Sequence, residues 1–352
     1  MSDITERDEP PAGRGRERRR VRGRGRLVRV GLVLGGGGVR GASWMMGALH
    51  GLASETGWDP GGADLVVGTS AGAVIAALTV GGARPWDALA PDREDLLRAL
   101  RDAAGFSPEP GLRSLWPGSP PLVGRALRAG PAHAMKAVAG ALPEGFVSTE
   151  PIARLVRERA SGWPAGDGLW VVATDFGSGE RVAFGRRGSP KPELPVAVAA
   201  SCAIPGFYRP VRAAGRRYVD GGVHTGANLD LVAGEALDIV ICLNPLSSRP
   251  GVASGIHWPV RTLLHQQLVP QMRAVERSGS RLVVLEPDRR SIDLIGLNPM
   301  SRRRVEEVGV AAALEVAAHL RRPDVRARLA GLGGSGRAAA APERPEPEPT
   351  AL

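Results

Sequence analysis

A chain of 352 residues, 43% apolar and 23% charged, has an ordinary globular composition and room for one large α/β domain or two smaller ones. Two cysteines without ligand-type spacing, Cys202 and Cys242, exclude a disulfide scaffold, and no stretch reaches the roughly 18 apolar residues of a membrane span. The net charge of +10 does not by itself indicate nucleic-acid binding, because residues 1–30 place ten arginines against five acids and hold half of it.

In chain order, residues 1–26 are Arg/Gly-rich without apolar periodicity and are expected to form a disordered, solvated tail. Peripheral contact with an anionic membrane suits such a tail; nucleic acid is not expected as a partner. The Arg18–Arg20 run precedes the apolar segment Leu27–Leu34, as in a twin-arginine signal. Arg29 interrupts that segment and no cleavage site follows, so it reads as the first strand. Free thiols and no export signal predict a cytoplasmic protein, at most peripheral to a membrane. Gly41–Ala53 is predicted helical, Asp64–Val67 a strand, and Ala73–Val80 a small-residue helix. Residues 85–160 read as amphipathic helix broken by Pro-rich loops, including Arg93–Ala104 and Val123–Arg128. Leu169–Thr174 and Glu180–Phe184 read as strands about a Gly177–Gly179 turn. Ile239–Leu243 and Arg281–Leu285 are further buried strands, and Asn298–Leu320 contains a closing helix. Past Leu332, residues 333–352 are Gly, Ala, Pro and Glu and are expected to be disordered. The alternation predicts a mostly parallel sheet with helices on both faces.

Two turns carry chemistry. Gly36-Gly37-Gly38-Val39-Arg40-Gly41 matches the dinucleotide fingerprint G-x-G-x-x-G between a strand and a helix. That reading expects an acid at the end of the second strand; Glu55 follows a helical segment and Asp64 opens the strand instead. The other reading is an oxyanion hole, since consecutive glycines let two N–H groups converge on one oxygen. Gly68-Thr69-Ser70-Ala71-Gly72 fits the nucleophile elbow G-x-S-x-G, where residues two away from the serine must be small. A triad would then need an acid and a histidine. Of His133, His224, His257, His265 and His319, none sits in a turn with a site signature. Asp220-Gly221-Gly222 follows the strand-like Arg217–Val219 and offers a carboxylate on a free turn.

Taken in order, the loop Gly36–Gly41 with Arg40, the elbow Gly68–Gly72 and Asp220-Gly221-Gly222 resemble the patatin-like phospholipases. The flanks agree: Ala199 to Phe207 followed by Tyr218-Val219-Asp220 resembles the family's approach to its aspartate, and Val171 to Asp175 with Gly179-Glu180 its preceding strand pair. The likeness runs over roughly residues 28–320. It implies a three-layer α/β/α fold with a mostly parallel central sheet, in a catalytic domain of residues 27–332 whose stretch 85–150 is a helical cap. It further implies a serine acyl hydrolase of lipid esters, phospholipase A or lysophospholipase in type, with no metal or other cofactor. Residue by residue, Ser70 is then nucleophile and Asp220 base. Gly36, Gly37 and Gly38 form the oxyanion hole with Arg40 beside it, while Gly41, Gly68, Gly72, Gly221 and Gly222 support the turns. Two departures stand out: Gly35 occupies a position where members often carry an acid, and Asn228 lies later after Asp220 than usual. An aspartate near its ordinary pKa of about 3.9 is a weak base, so the dyad needs a dry, short Ser–Asp hydrogen bond. Trp116, Leu122, Met135 and Phe146 are candidates for an acyl channel, ordinary packing being their plainer role. A dinucleotide-binding oxidoreductase and an inactive lipid-binding family member remain as alternatives.

Overall fold

The computed structural model describes residues 28–89, 94–103, 117–130, 134–253 and 255–334. Tail residues 1–26 and 335–352, together with Trp116 and His133, lie outside them. The strands are β1 (Val30–Leu34), β2 (Leu65–Thr69), β3 (Leu169–Asp175), β4 (Arg181–Phe184), β5 (Val211–Ala213), β6 (Arg216–Asp220), β7 (Ile239–Leu243) and β8 (Arg281–Leu285). They form one mixed sheet in the order β5-β6-β3-β2-β1-β7-β8, with β4 also on β3. The run β3-β2-β1-β7-β8 is parallel, and β4, β5 and β6 pair antiparallel. The parallel strands are apolar on both faces because helices cover both.

Those helices are α1 (Gly38–Thr56), α2 (Ala71–Val80), α3 (Glu94–Ala103), α4 (Pro120–Ala129), α5 (Ala134–Ala141), α6 (Glu150–Arg159), α7 (Leu194–Ser201), α8 (Trp258–Arg277), α9 (Arg289–Ile295), α10 (Val305–Leu320) and α11 (Pro323–Arg328). One sheet face buries Leu32, Leu34, Val66 and Ile241 with residues of α1, α2, α6, α7 and α10. The other buries Val33, Val67, Val240 and Cys242 with Leu268 and Val275 of α8 and a short turn at Leu229–Val232. This is the predicted three-layer α/β/α architecture. With few aromatics, its core gains about 1.5–3 kcal/mol from each buried Val or Leu.

The register of β3 brings two chain ends together. β2 aligns with residues 169–172 of β3, β4 with 171–174 and β6 with 173–175. β4 overlaps both others, so it takes one edge of β3 and leaves β2 and β6 to share the opposite edge. They approach head-on: Thr69, the last residue of β2, pairs with Val172, and Asp220, the last of antiparallel β6, pairs with Ala173. The elbow and the aspartate turn are thereby set side by side.

Periodicity predicts neither α7 nor α8. The first is apolar on every side, and the second carries Pro259 near its start and Pro270 inside it. Helix α1 also begins earlier than predicted, at Gly38 within the glycine loop.

Candidate active site

Ser70 sits between β2 and α2 with φ 55 and ψ −124, a strained conformation for a residue with a side chain. The flanking glycines are a steric necessity. A Cβ on Gly68 would lie 2.6 Å from the Ala73 Cα, and one on Gly72 would lie 2.1 Å from the Leu34 carbonyl oxygen. The strain is held by hydrogen bonds. The Ser70 N–H donates to Ser201 Oγ at 2.9 Å, and that hydroxyl donates to the Val172 carbonyl at 2.5 Å. Ser201 closes α7, and no sequence signal marks it beyond its place in the approach to Asp220. Helix α2 starts directly behind Ser70 and directs its positive end at the hydroxyl.

Asp220 is buried, and its carboxyl faces the Ser70 hydroxyl closely enough to feel it electrostatically. Its Oδ1 accepts from the Gly222 N–H at 2.7 Å, and its own N–H donates to the Ala203 carbonyl at 2.9 Å. Burial pushes its carboxyl up to about 6, against the pull of the Ser70 hydroxyl and the Gly222 N–H. Asn228 ties the two turns: its amide donates to Thr69 Oγ1 at 3.1 Å, to the Gly221 carbonyl at 3.4 Å and to the Thr225 carbonyl at 2.8 Å. The longer spacing before Asn228 therefore still delivers it to the dyad. Cys202 lies close by, but burial and the Asp220 charge push its thiol well up, which leaves it inert.

The glycine loop departs from expectation at two residues. The Gly36 N–H is spent on the Gly226 carbonyl at 2.9 Å, so it leaves the set of oxyanion donors. Gly37 and Gly38 remain, opening α1; Gly38 takes φ 60, and a Cβ there would meet the Pro299 carbonyl oxygen at 2.8 Å. Gly41 makes the first helical bond back to the Gly37 carbonyl at 2.9 Å. Arg40 faces away from the hydroxyl. Its guanidinium donates to the carbonyls of Leu294, Ile295 and Arg303 and to Ser301 Oγ, at 2.8–3.1 Å. Arg40 thus fastens the segment 294–303 over the loop.

The Ser70 hydroxyl opens on an apolar cavity of about 60 Å³ lined by Val74, Leu100, Ile152, Leu155, Tyr208 and Met300. The predicted channel residues fall elsewhere. Leu122 is buried beside Phe176, Phe146 packs against the main core, and Met135 is exposed. Leu122 and Met135 lie on α4 and α5 and Phe146 in the loop before α6, and periodicity carried no information on which face meets the serine. None of the described histidines lines this cavity: His265 contacts Glu286, and His224 lines a separate groove. Among the described residues no cluster of His, Cys, Asp or Glu is arranged for a metal. The acid required by a dinucleotide site is also missing, since β2 ends on Thr69 and runs straight into Ser70.

A family model described as Patatin-like phospholipase matches residues 32–233. The span includes the glycine loop, the elbow and the Asp220 turn. The chain is also similar to the solved structure of VipD from Legionella pneumophila, at 13% identity and a TM-score of 0.34, over 83% of this chain and 67% of that one.

Proposed function

Since this chain belongs to the patatin-like phospholipase family, we propose that it is a serine acyl hydrolase that cleaves carboxylic esters of lipids through a Ser70–Asp220 dyad. One arrangement carries the reading: a serine on a strained elbow stands against a buried carboxylate and opens on an apolar cavity.

The steps follow from that contact. Ser70 Oγ attacks the acyl carbonyl carbon, and its proton passes to Asp220. The carbonyl oxygen gains negative charge beside the N–H groups of Gly37 and Gly38, aided by the positive end of α2. Collapse breaks the ester bond, and the departing alkoxide takes the proton from Asp220. Water then attacks the acyl-enzyme, gives its proton to Asp220 and releases the acid, after which the proton returns to Ser70. A carboxyl raised by burial is a stronger base than a surface aspartate, which suits it to this task near neutral pH. Ser201 acts as a positioning residue, because its hydroxyl fixes the Ser70 backbone.

The test is fluorophosphonate labelling with peptide mapping, followed by two variants. The label should fall on the peptide bearing Ser70. Ser70→Ala and Asp220→Asn should each cut hydrolysis of a soluble nitrophenyl ester by about a thousandfold or more, and the double variant by little further, because the pair acts as a unit. A label on another residue, or near-wild-type turnover by Ser70→Ala, would remove the dyad from the mechanism.

A further inference from the structure

Eleven large apolar side chains are exposed among the described residues, and four belong to one pair of packed helices. Leu127 is on α4; Met135 and Val138 are on α5, and Leu142 follows it directly. Residues 135, 138 and 142 have helical spacing and form one stripe. Exposed apolar surface gathered in this way marks a site of association.

The charge around the stripe is one-sided. From Pro117 to Pro143 the chain has no Asp or Glu, while Arg125, Arg128 and Lys136 are all present. Between these helices and the β3–β4 turn an open groove of about 580 Å³ is lined by Arg125, Lys136, Arg181 and His224, with Glu180 as its one carboxylate. Arg181 is engaged with Asp230 at 2.7 Å, and Arg125 donates one bond to the Gly177 carbonyl at 3.0 Å. Burial and then the Arg181 charge hold the Lys136 ammonium below the ordinary lysine range, with Glu180 pulling the other way. The helices also sit on the catalytic turn: Leu122 and Ala139 pack against Phe176, Val219 and Val223, which bracket Asp220.

We propose that α4 and α5 are a docking element for the surface of an anionic phospholipid bilayer. Their apolar stripe enters the boundary of the acyl region, and Arg125, Arg128 and Lys136 meet the headgroup phosphates. An amphipathic helix with a cationic polar face is suited to that interface. A protein partner would need an apolar patch ringed by acids at one matching place, whereas an anionic bilayer offers acyl chains beneath phosphates over its whole surface. The inference takes its biological sense from the lipid-ester reading, since docking here sets the Asp220 turn close to the membrane.

The test needs no turnover, so it stands apart from the fate of the dyad. The full chain is sedimented with vesicles of pure phosphatidylcholine and with vesicles of equal parts phosphatidylcholine and phosphatidylglycerol. The anionic vesicles should take up the protein about tenfold better or more. Met135→Ser/Val138→Ser and Arg125→Glu/Lys136→Glu should each lower that uptake by about tenfold, the second also narrowing the preference for anionic lipid. Val138→Cys labelled with an environment-sensitive dye gives an independent readout, since Cys202 and Cys242 are buried. Its emission should shift to the blue on anionic vesicles. Wild-type uptake in both double variants, or an unshifted dye on vesicles that do bind the protein, would overturn the proposal and leave binding to another surface. No uptake of the wild type by either vesicle would overturn it as well.

Discussion

At Ser70 the backbone is held against its preference, and the hydrogen bond through Ser201 to Val172 offsets part of that cost. The residues that create the strain were readable because sterics demand them; Gly68 and Gly72 have no substitute. What Ser201 and Asn228 bond was not, although the resemblance had pointed to Asn228, since a serine or asparagine that bonds a distant turn leaves no local pattern. Gly36 and Arg40 show the opposite limit. A motif names positions, but the Gly226 carbonyl and the segment 294–303 decide what those positions bond. The titration of Asp220 gives a prediction. As a base it must be ionised, so kcat/KM should fall as pH drops through about 6 and plateau above it. The same shift has a stability consequence. The folded carboxyl titrates above its unfolded value of about 3.9, so the native state binds more protons between about pH 4 and 6, and stability is lost as pH rises across that window. Asp220→Asn should therefore be more stable than wild type by on the order of 2 kcal/mol near pH 8, with the gain gone below about pH 4. Urea denaturation at the two pH values reads this directly. An equal or lower stability of Asp220→Asn near pH 8 would mean that the carboxylate is well compensated where it lies.

Elements place these residues through pairings that periodicity cannot see. The parallel strands β1, β2, β7 and β8 were legible as short apolar runs. The sharing of one edge of β3 by β2 and β6 depends on contacts some 150 residues apart in sequence and had no local signal. The other critical contact is between α1 and α10, which bury small residues against each other. A Cβ on Gly47 would lie 1.9 Å from the Gly309 carbonyl oxygen, so backbone rather than a flexible side chain would have to move. Gly47→Ala is expected to cost about 2–3 kcal/mol, the overpacking range, despite the better helix propensity of alanine. Because α1 opens at Gly38, the shift should also reach the oxyanion loop. Ester turnover of the folded variant should fall, while Gly57→Asn, at the left-handed cap of the same helix with open space around it, should be tolerated. A Gly47→Ala chain that unfolds at the wild-type urea concentration would show that α10 slides away at no cost.

For the whole molecule, both hydrophobic layers, the eight-stranded sheet and every residue assigned to the dyad lie within residues 28–334. The helices that close both apolar faces of the sheet belong to this span. A chain trimmed to 28–334 should therefore melt within about 2 °C of the full chain and hydrolyse a soluble ester at about the same rate. Vesicle uptake discriminates more sharply, because trimming removes eleven arginines, nine of them in the first 27 residues, whose attraction to anionic lipid is long-ranged and screened by salt. If the tail carried all of the attraction, the trimmed chain would lose its preference for anionic vesicles. With α4 and α5 as the docking element, trimming should lower uptake at low salt but keep the preference, and added salt should narrow the gap between full and trimmed chains. Arg125→Glu/Lys136→Glu placed in the trimmed chain should then remove what remains. A trimmed chain with no preference for anionic vesicles would return the membrane contact to the tail, while a trimmed chain that fails to fold would show that the core extends beyond these residues.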